Sequence, residues 1–276
     1  MKIWEFTLLI WAGGLAGGFL GSLTGLGGGV VIVPLLTILF GVDIRYAIGA
    51  SLVSVIATSS GAAAAYVKEG FTNLRIGMFL ELATTIGAVA GATLAALVAP
   101  QAIFIVFGIV LVVSAYLSRH EHHDVSPAGP PDRLALKLRL AGSYPTATGP
   151  VEYHVRRVPG GFLLMMVAGV LSGLLGIGSG ALKVLAMDQV MRVPFKVSTT
   201  TSNFMIGVTA AASAGIYLSR GYIDPGLAMP VMLGVLPGAL AGTRVLVAAK
   251  VGTLRIVFAL VIVALGIEMI VQGLRR

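Results

Sequence analysis

The sequence predicts an all-α polytopic membrane protein. Two homologous repeats of about four hydrophobic elements each make up the fold, and a small cytoplasmic β-hairpin is inserted between them. Three observations carry this prediction: the composition, the spacing of the apolar runs, and a self-similarity at one fixed offset. Of the 276 residues, 57% are hydrophobic and 11% charged, and the mean hydropathy is +0.97. Soluble globular chains carry about 25% charged residues, so this much apolar surface has to be placed against lipid. The formal charge of +8 sits mainly between and beside the apolar runs, as interfacial charge rather than a nucleic-acid footprint. There is no cysteine, which excludes disulfides and thiolate metal sites.

The apolar runs fall at about 4–24, 30–40, 47–67, 76–98 and 102–118, and again at about 161–175, 181–190, 197–217, 227–249 and 254–273. Several reach the roughly 20 residues that cross a ~30 Å hydrocarbon core. Residues 1–24 read as a span rather than a cleaved signal, because Gly13, Gly14, Gly17, Gly18 and Gly21 interrupt any compact apolar core. The chain divides into a first repeat at 1–118, a linker at 119–160 and a second repeat at 161–276.

The linker holds Arg119, Arg133, Lys137, Arg139, Arg156 and Arg157, and the positive-inside tendency puts it in the cytoplasm. Leu134, Leu136, Leu138 and Leu140 alternate with other residues, as do Val151, Tyr153 and Val155. That is strand periodicity, punctuated by Gly142, Pro145, Gly149 and Pro150, and it predicts a hairpin. All four histidines lie in the linker. The run "HEHHD" from His120 to Asp124 lacks a repeated ligand spacing and reads as a solvated loop, not a metal site.

Gly25 and Gly176 differ by 151 (176 − 25), and that offset holds without a gap across most of both halves. Gly27, Gly29 and Val33 match Gly178, Gly180 and Val184; Ser51 matches Ser202, Tyr66 matches Tyr217, and "GAVAG" at 87–91 meets "GALAG" at 238–242. One register with so many matches indicates internal duplication. Gly13, Gly17, Gly21, Gly25 and Gly29 line one helix face, where small residues allow close helix packing in lipid. Packing does not explain the clusters at 25–29 and 176–180, which also fill the positions between. Consecutive glycines favour a break or a re-entrant turn, tolerated at membrane depth only inside protein or beside a water-filled cavity. Such breaks offer free peptide N–H groups and helix N-termini, which suit an anion. If each broken element spans, the repeats are parallel; if it dips in and returns, they are inverted.

The stretches "GSLTGLGGGVVIVPLL" and "GASLVSVIATS", with "GLLGIGSGALKVLAMD" and "KVSTTTSNFMIGVTAA" in the second half, resemble the TauE/SafE family. The resemblance covers both repeats, with departures at Ser179, where the first repeat has a third glycine, and at Leu185, where it has Pro34. It implies a transporter, with export favoured, of sulfite or organosulfur anions.

The candidate substrate-binding residues are Gly25, Gly27, Gly28, Gly29 and Ser51 in the first repeat, and Gly176, Gly178, Ser179, Gly180 and Lys183 at the second break. Thr200, Thr201, Ser202 and Asn203, in the polar run "STTTSN", complete them as hydroxyl and amide donors. Their alternative is bonding to their own helix carbonyls or capping. Lys183 is the sharpest signal: a lysine at bilayer depth costs about 2.5–3.5 kcal/mol on insertion scales, and a bound anion relieves that cost. Pairing with Asp188 is the alternative, although five positions apart is poor helical geometry. Glu81 reads either as a proton-coupling carboxylate, with Asp188 a second candidate, or as a partner for the Arg75 end of its run.

No nucleophile–base pair or ligand cluster lies in the spans, so the chain is not expected to be an enzyme or to need a cofactor. The expected partners are a small sulfur oxyanion or organosulfonate and the lipid bilayer, with no nucleic acid; a homo-oligomer is compatible with the sequence. A bacterial or archaeal inner membrane is the expected location. The rival class is a non-transporting membrane scaffold or sensor that uses the hairpin to bind a partner.

Overall fold

A computed structural model describes residues 3–24, 28–68, 71–118, 132–146, 149–248 and 251–275. The first half runs α1 (Ile3–Thr24), α2 (Gly29–Pro34) continued by a π-helical turn (Leu35–Leu39), α3 (Ile44–Lys68), α4 (Leu74–Leu94) and α5 (Pro100–Ser118). The linker holds α6 (Arg133–Lys137), β1 (Gly142–Thr146) and β2 (Gly149–Tyr153). Then come α7 (Val158–Leu175), α8 (Gly180–Leu185) with its π-turn (Ala186–Val190), α9 (Phe195–Ser219), α10 (Pro225–Ala248) and α11 (Val251–Arg275). Leu74–Leu94, Val158–Leu175 and Pro225–Gly242 are each long and apolar enough to cross a membrane.

The interrupted segments turn back on themselves. A β-carbon at Gly17 would meet Ile32 at 3.1 Å, and one at Gly13 would meet Leu35 at 2.8 Å. Numbers rise along α2 as they fall along α1, so the two run antiparallel until the Phe40 ring stands 5.6 Å from that of Phe6. In the second half α8 returns beside α7, and Met191 arrives against Gly161.

Small residues set the main helix pairs. Gly14 and Gly18 press on the carbonyls of Val231 and Val235, and Gly234 and Gly238 on those of Trp11 and Leu15. α1 and α10 are therefore parallel. Gly87 and Gly91 press on Met166 and Val170, while Gly169 and Gly173 press on Thr84 and Ala88, so α4 and α7 are parallel too. Without side chains at these points the backbones approach closely, and dispersion over the seam holds them. α5 meets α11 antiparallel, with Gly108 beside Gly266 and Gly273 beside Gln101 and Phe104. α3 and α9 cross at the centre, buried by α10 on one side and α4 on the other.

The bundle has two distinct ends. At one, Arg45 donates from Nε to the Ala95 carbonyl (3.3 Å) and from Nη2 to that of Val98 (3.1 Å), and Arg220 donates to the Ala92 carbonyl (3.1 Å). At the other, Asn73 Nδ2 donates to the Leu140 carbonyl (3.1 Å) and to Tyr153 Oη (2.7 Å), tying the linker down. Burial pushes the Tyr153 phenol above its ordinary range, so it stays neutral at physiological pH.

The hairpin exists, but its first arm is displaced from the expected place. β1 and β2 pair antiparallel, from Gly142 opposite Tyr153 to Thr146 opposite Gly149. Upstream, Leu134 and Leu136 lie in α6 instead and Leu138 ends it, with these three leucines exposed and Ala135 and Leu140 buried. Leu, Ala, Lys and Arg are strong helix formers, and Asp132 starts the turn: one carboxylate oxygen accepts from the Leu134 N–H (3.2 Å). The other oxygen accepts from the Val158 N–H (3.1 Å) at the start of α7. Asp132 thus caps two helix N-termini, and Asp132→Ala is expected to destabilise the protein by about 1–2 kcal/mol, read as a lowered thermal unfolding midpoint. A shift no larger than that of an exposed control such as Glu152→Ala would show that the double cap contributes nothing.

Candidate functional site

The second glycine cluster places irregular backbone in the middle of the bundle. Gly176 and Gly178 have φ of +68° and +70°, and Ser179, which has a β-carbon, is held at +49°. That left-handed conformation is uncommon outside glycine and costs free energy for serine. The two interruptions meet. A β-carbon on Gly29 would fall 2.5 Å from Ser51 Oγ and 2.8 Å from the Gly176 carbonyl. Ser51, on α3 of the first half, donates to that same carbonyl at 2.8 Å. Ser202, 151 positions further on in α9, donates to the Gly180 carbonyl at 3.3 Å.

A cavity of about 10 Å³ lies where the interruptions meet, with Val30 from α2, Ser114 from α5, and Ile177, Ser179 and Leu182 from the second break in its wall. That is room for about one water. Ser179 Oγ is buried there without a hydrogen-bond partner, as is Ser172 Oγ one turn before the break. Buried hydroxyls are normally bonded, so these two are donors held in reserve.

Lys183 is fully buried, and its side chain points to α9. Its Nζ donates to Thr209 Oγ1 at 2.5 Å, and Thr209 Oγ1 donates onward to Glu81 Oε1 on α4 at 2.6 Å. Thr85 also donates to Glu81 Oε1, at 3.2 Å. The two legs put ammonium and carboxylate within about 5 Å of each other, a distance at which their attraction in protein surroundings amounts to a few kcal/mol. Glu81 Oε2 is buried with no partner.

The other expected residues fall as follows. Thr200 bonds to the Lys196 carbonyl of its own helix (3.0 Å), and Thr201 Oγ1 accepts from the Asn73 N–H (3.1 Å). Thr199 Oγ1 is buried without a partner, and Asn203 is half-buried. Asp188 sits buried in the π-turn and accepts from Gln189 Nε2 at 3.1 Å. Arg75 turns outward to the Arg139 carbonyl (3.3 Å), so Glu81 is not its partner. Gly28 lies at the start of α2, whereas Gly25, Gly27 and the "HEHHD" run lie outside the described residues. No group of three or more His, Cys, Asp or Glu suited to a metal occurs among the described residues. Sequence reasoning passed over Thr209 and Ser114. Thr209 sits inside the quoted "GVTAA", but a threonine on an apolar helix carries no signal until its neighbours are known.

Membrane-crossing apolar helices, interrupted helices at the centre of the bundle and buried polar groups beside them define an integral membrane protein of the transporter class. The sequence profile described as "Sulfite exporter TauE/SafE" matches residues 10–269, and the chain belongs to that family. It is 28% identical over 268 residues to the Probable membrane transporter protein YunE of Bacillus subtilis, covering 95% of this chain and 96% of that one. YdhB of the same organism, also named a Probable membrane transporter protein, is 26% identical over 232 residues, 84% of this chain and 85% of that one. A Probable membrane transporter protein of Xylella fastidiosa is 26% identical over 273 residues, 98% and 97% of the two chains. No solved structure gives a significant match.

Proposed function

We infer that this transporter carries small sulfur-containing anions, sulfite or organosulfonates, by alternating access around the two glycine-rich breaks. The observation that carries the reading is the meeting of the breaks, where Gly29, Ser51 and the Gly176 carbonyl crowd together. Backbone this irregular is tolerated at membrane depth only where it is buried in protein or lines a water-filled cavity, and here a small cavity adjoins it. The donors on offer are the unpartnered Ser179 and Ser172 hydroxyls, the peptide groups of residues 176–180 and the Lys183 ammonium. A cavity with room for one water is a closed conformation, and an oxyanion enters only when the two halves shift. The family description supplies the sulfur chemistry. Purified protein in proteoliposomes should carry labelled isethionate or sulfite, with unlabelled sulfonate competing. Absence of saturable flux of either anion rejects the substrate class.

Of the two repeat orientations, this reading takes the inverted one. It is supported by helix direction: α2 returns beside α1, and α1 pairs parallel with α10 just as α7 pairs parallel with α4. Corresponding helices of the two halves then point in opposite senses, and each half makes an odd number of crossings. Basic residues favour a cytoplasmic linker: among the described residues Arg75, Arg139, Arg156, Arg192 and Lys196 stand at its end of the bundle, against Arg45, Arg220 and Arg275 at the other. The natural sequence lacks cysteine, so single cysteines report cleanly. Arg275→Cys should react with an impermeant maleimide in intact cells, and Glu152→Cys only after permeabilisation. Labelling of both in intact cells, or of neither until permeabilisation, rejects the inverted arrangement.

A further inference from the structure

The relay joins Lys183 and Thr209 of the second half to Glu81 of the first, and its counterpart at the 151-residue offset is missing. At the same offset the first half has Ile32 and Thr58, and Met232 stands where Glu81 would recur. Packing therefore does not require the charges, since Ile32 fills its place on α2 fully buried. Lys183 stands on the same turn as Leu182, which lines the cavity between the breaks. Its side chain is drawn away from that cavity by the relay.

The charged surroundings of Glu81 are simple. α7, packed along α4, has no titratable side chain. α9 brings Lys196, exposed in its first turn, and Tyr217, bonded to the Gly173 carbonyl at 3.2 Å. Arg75 on α4 itself is turned to the Arg139 carbonyl, and Asp188 accepts from Gln189. Lys183 on α8 is the charged group that faces Glu81 among the described residues. Glu81 is 8% exposed, and its Oε2, buried with no partner, has a lone pair free to take a proton.

We propose that Glu81 is a proton site that loads together with the anion, with the Lys183 ammonium as the counter-ion shared between them. This rests on the transport reading above. In the empty site the ammonium is balanced by the Glu81 carboxylate through Thr209. An anion arriving on that intact pair leaves one net negative charge buried, and a proton arriving alone leaves one net positive charge. Both are costly in a dry interior. When anion and proton arrive together, Glu81 becomes a neutral acid, Lys183 turns to the anion, and the site stays neutral. The proton is given up by hydronium, whose O–H bond breaks to leave water, and forms an O–H bond at Oε2; no other covalent bond changes. Thr209 can follow the change, because the Met205 carbonyl (3.0 Å) and Thr84 Oγ1 (3.4 Å) are already in reach of its hydroxyl. For a monovalent anion this is electroneutral symport.

Isethionate, the anion of a strong acid, does not buffer near neutral pH and serves as the probe. Added to purified protein in weakly buffered detergent solution, it should draw up about one proton per anion bound, with binding counted by calorimetry. The same addition should raise a protonated-carboxyl band in infrared difference spectra, absent in Glu81→Gln. Lys183→Met gives a handle that survives if Glu81→Gln fails to fold, since its carboxyl can neutralise itself. There the acid band should persist at a pH where the wild-type group is ionised. Isethionate binding without proton uptake overturns the proposal, and so does an acid band in Lys183→Met no different from wild type. If no sulfonate binds but the Lys183→Met band persists, the proton site stands and the substrate class falls.

Discussion

Glu81→Met is expected to destabilise the protein by about 3–5 kcal/mol, and Lys183→Ile in the same chain to restore most of that loss. The single change leaves a fully buried ammonium with Thr209 as its remaining partner, and removing one member of a buried pair costs on this scale. The double change places at positions 183 and 81 the residues found 151 positions away in the other half, Ile32 and Met232. Replacement of a buried ion pair by apolar side chains of similar volume is often neutral or stabilising. Thermal unfolding of the four proteins in one detergent gives the coupling energy directly. The double variant should fold and yet fail to accumulate anion. A simple sum of the two single effects would mean that the relay through Thr209 transmits no interaction. Normal accumulation by the folded double variant would make the charges dispensable for transport.

The second large effect is at the backbone. Gly29→Leu and Gly178→Leu should each bring flux to background, measured per inserted protein in proteoliposomes. At Gly29 the first side-chain carbon already lands on Ser51 Oγ and the Gly176 carbonyl, so α2 must move off α3 and the breaks must part. At Gly178 a leucine takes on a left-handed φ of +70° with Ile206 2.8 Å from its β-carbon, a strain of about 1–2 kcal/mol before the contact is counted. Gly215, with nothing within 4 Å of an added β-carbon, is the control: Gly215→Ala should transport as wild type. Retention of flux in both break variants would remove the meeting of the breaks from the mechanism.

The sequence by itself determined the helices and where they stop. Apolar runs of spanning length and glycine clusters that no interior helix tolerates are local properties, set by transfer free energy and backbone entropy. The same locality explains where it failed. The leucines of "RLALKLRL" alternate as a strand does, yet Leu134 and Leu136 lie in α6 and Leu138 ends it, because Asp132 caps that turn and α7 together. Val158 is 26 residues away from that cap, and no periodicity reports it.

Tertiary structure decided the rest. A glycine cluster permits a break but does not aim it; the return of α2 along α1 is set by Ile32 and Leu35 seating against Gly17 and Gly13. Lys183 declared itself in the sequence as a charge needing a partner. Neither Asp188, near it in the chain, nor Arg75, near Glu81, is the partner that the fold supplies. Thr209 joins Lys183 to Glu81 across 26 and 128 residues of chain. Electrostatic attraction between buried groups depends on distance in space and on exclusion of water, and both exist only after α4, α8 and α9 have packed.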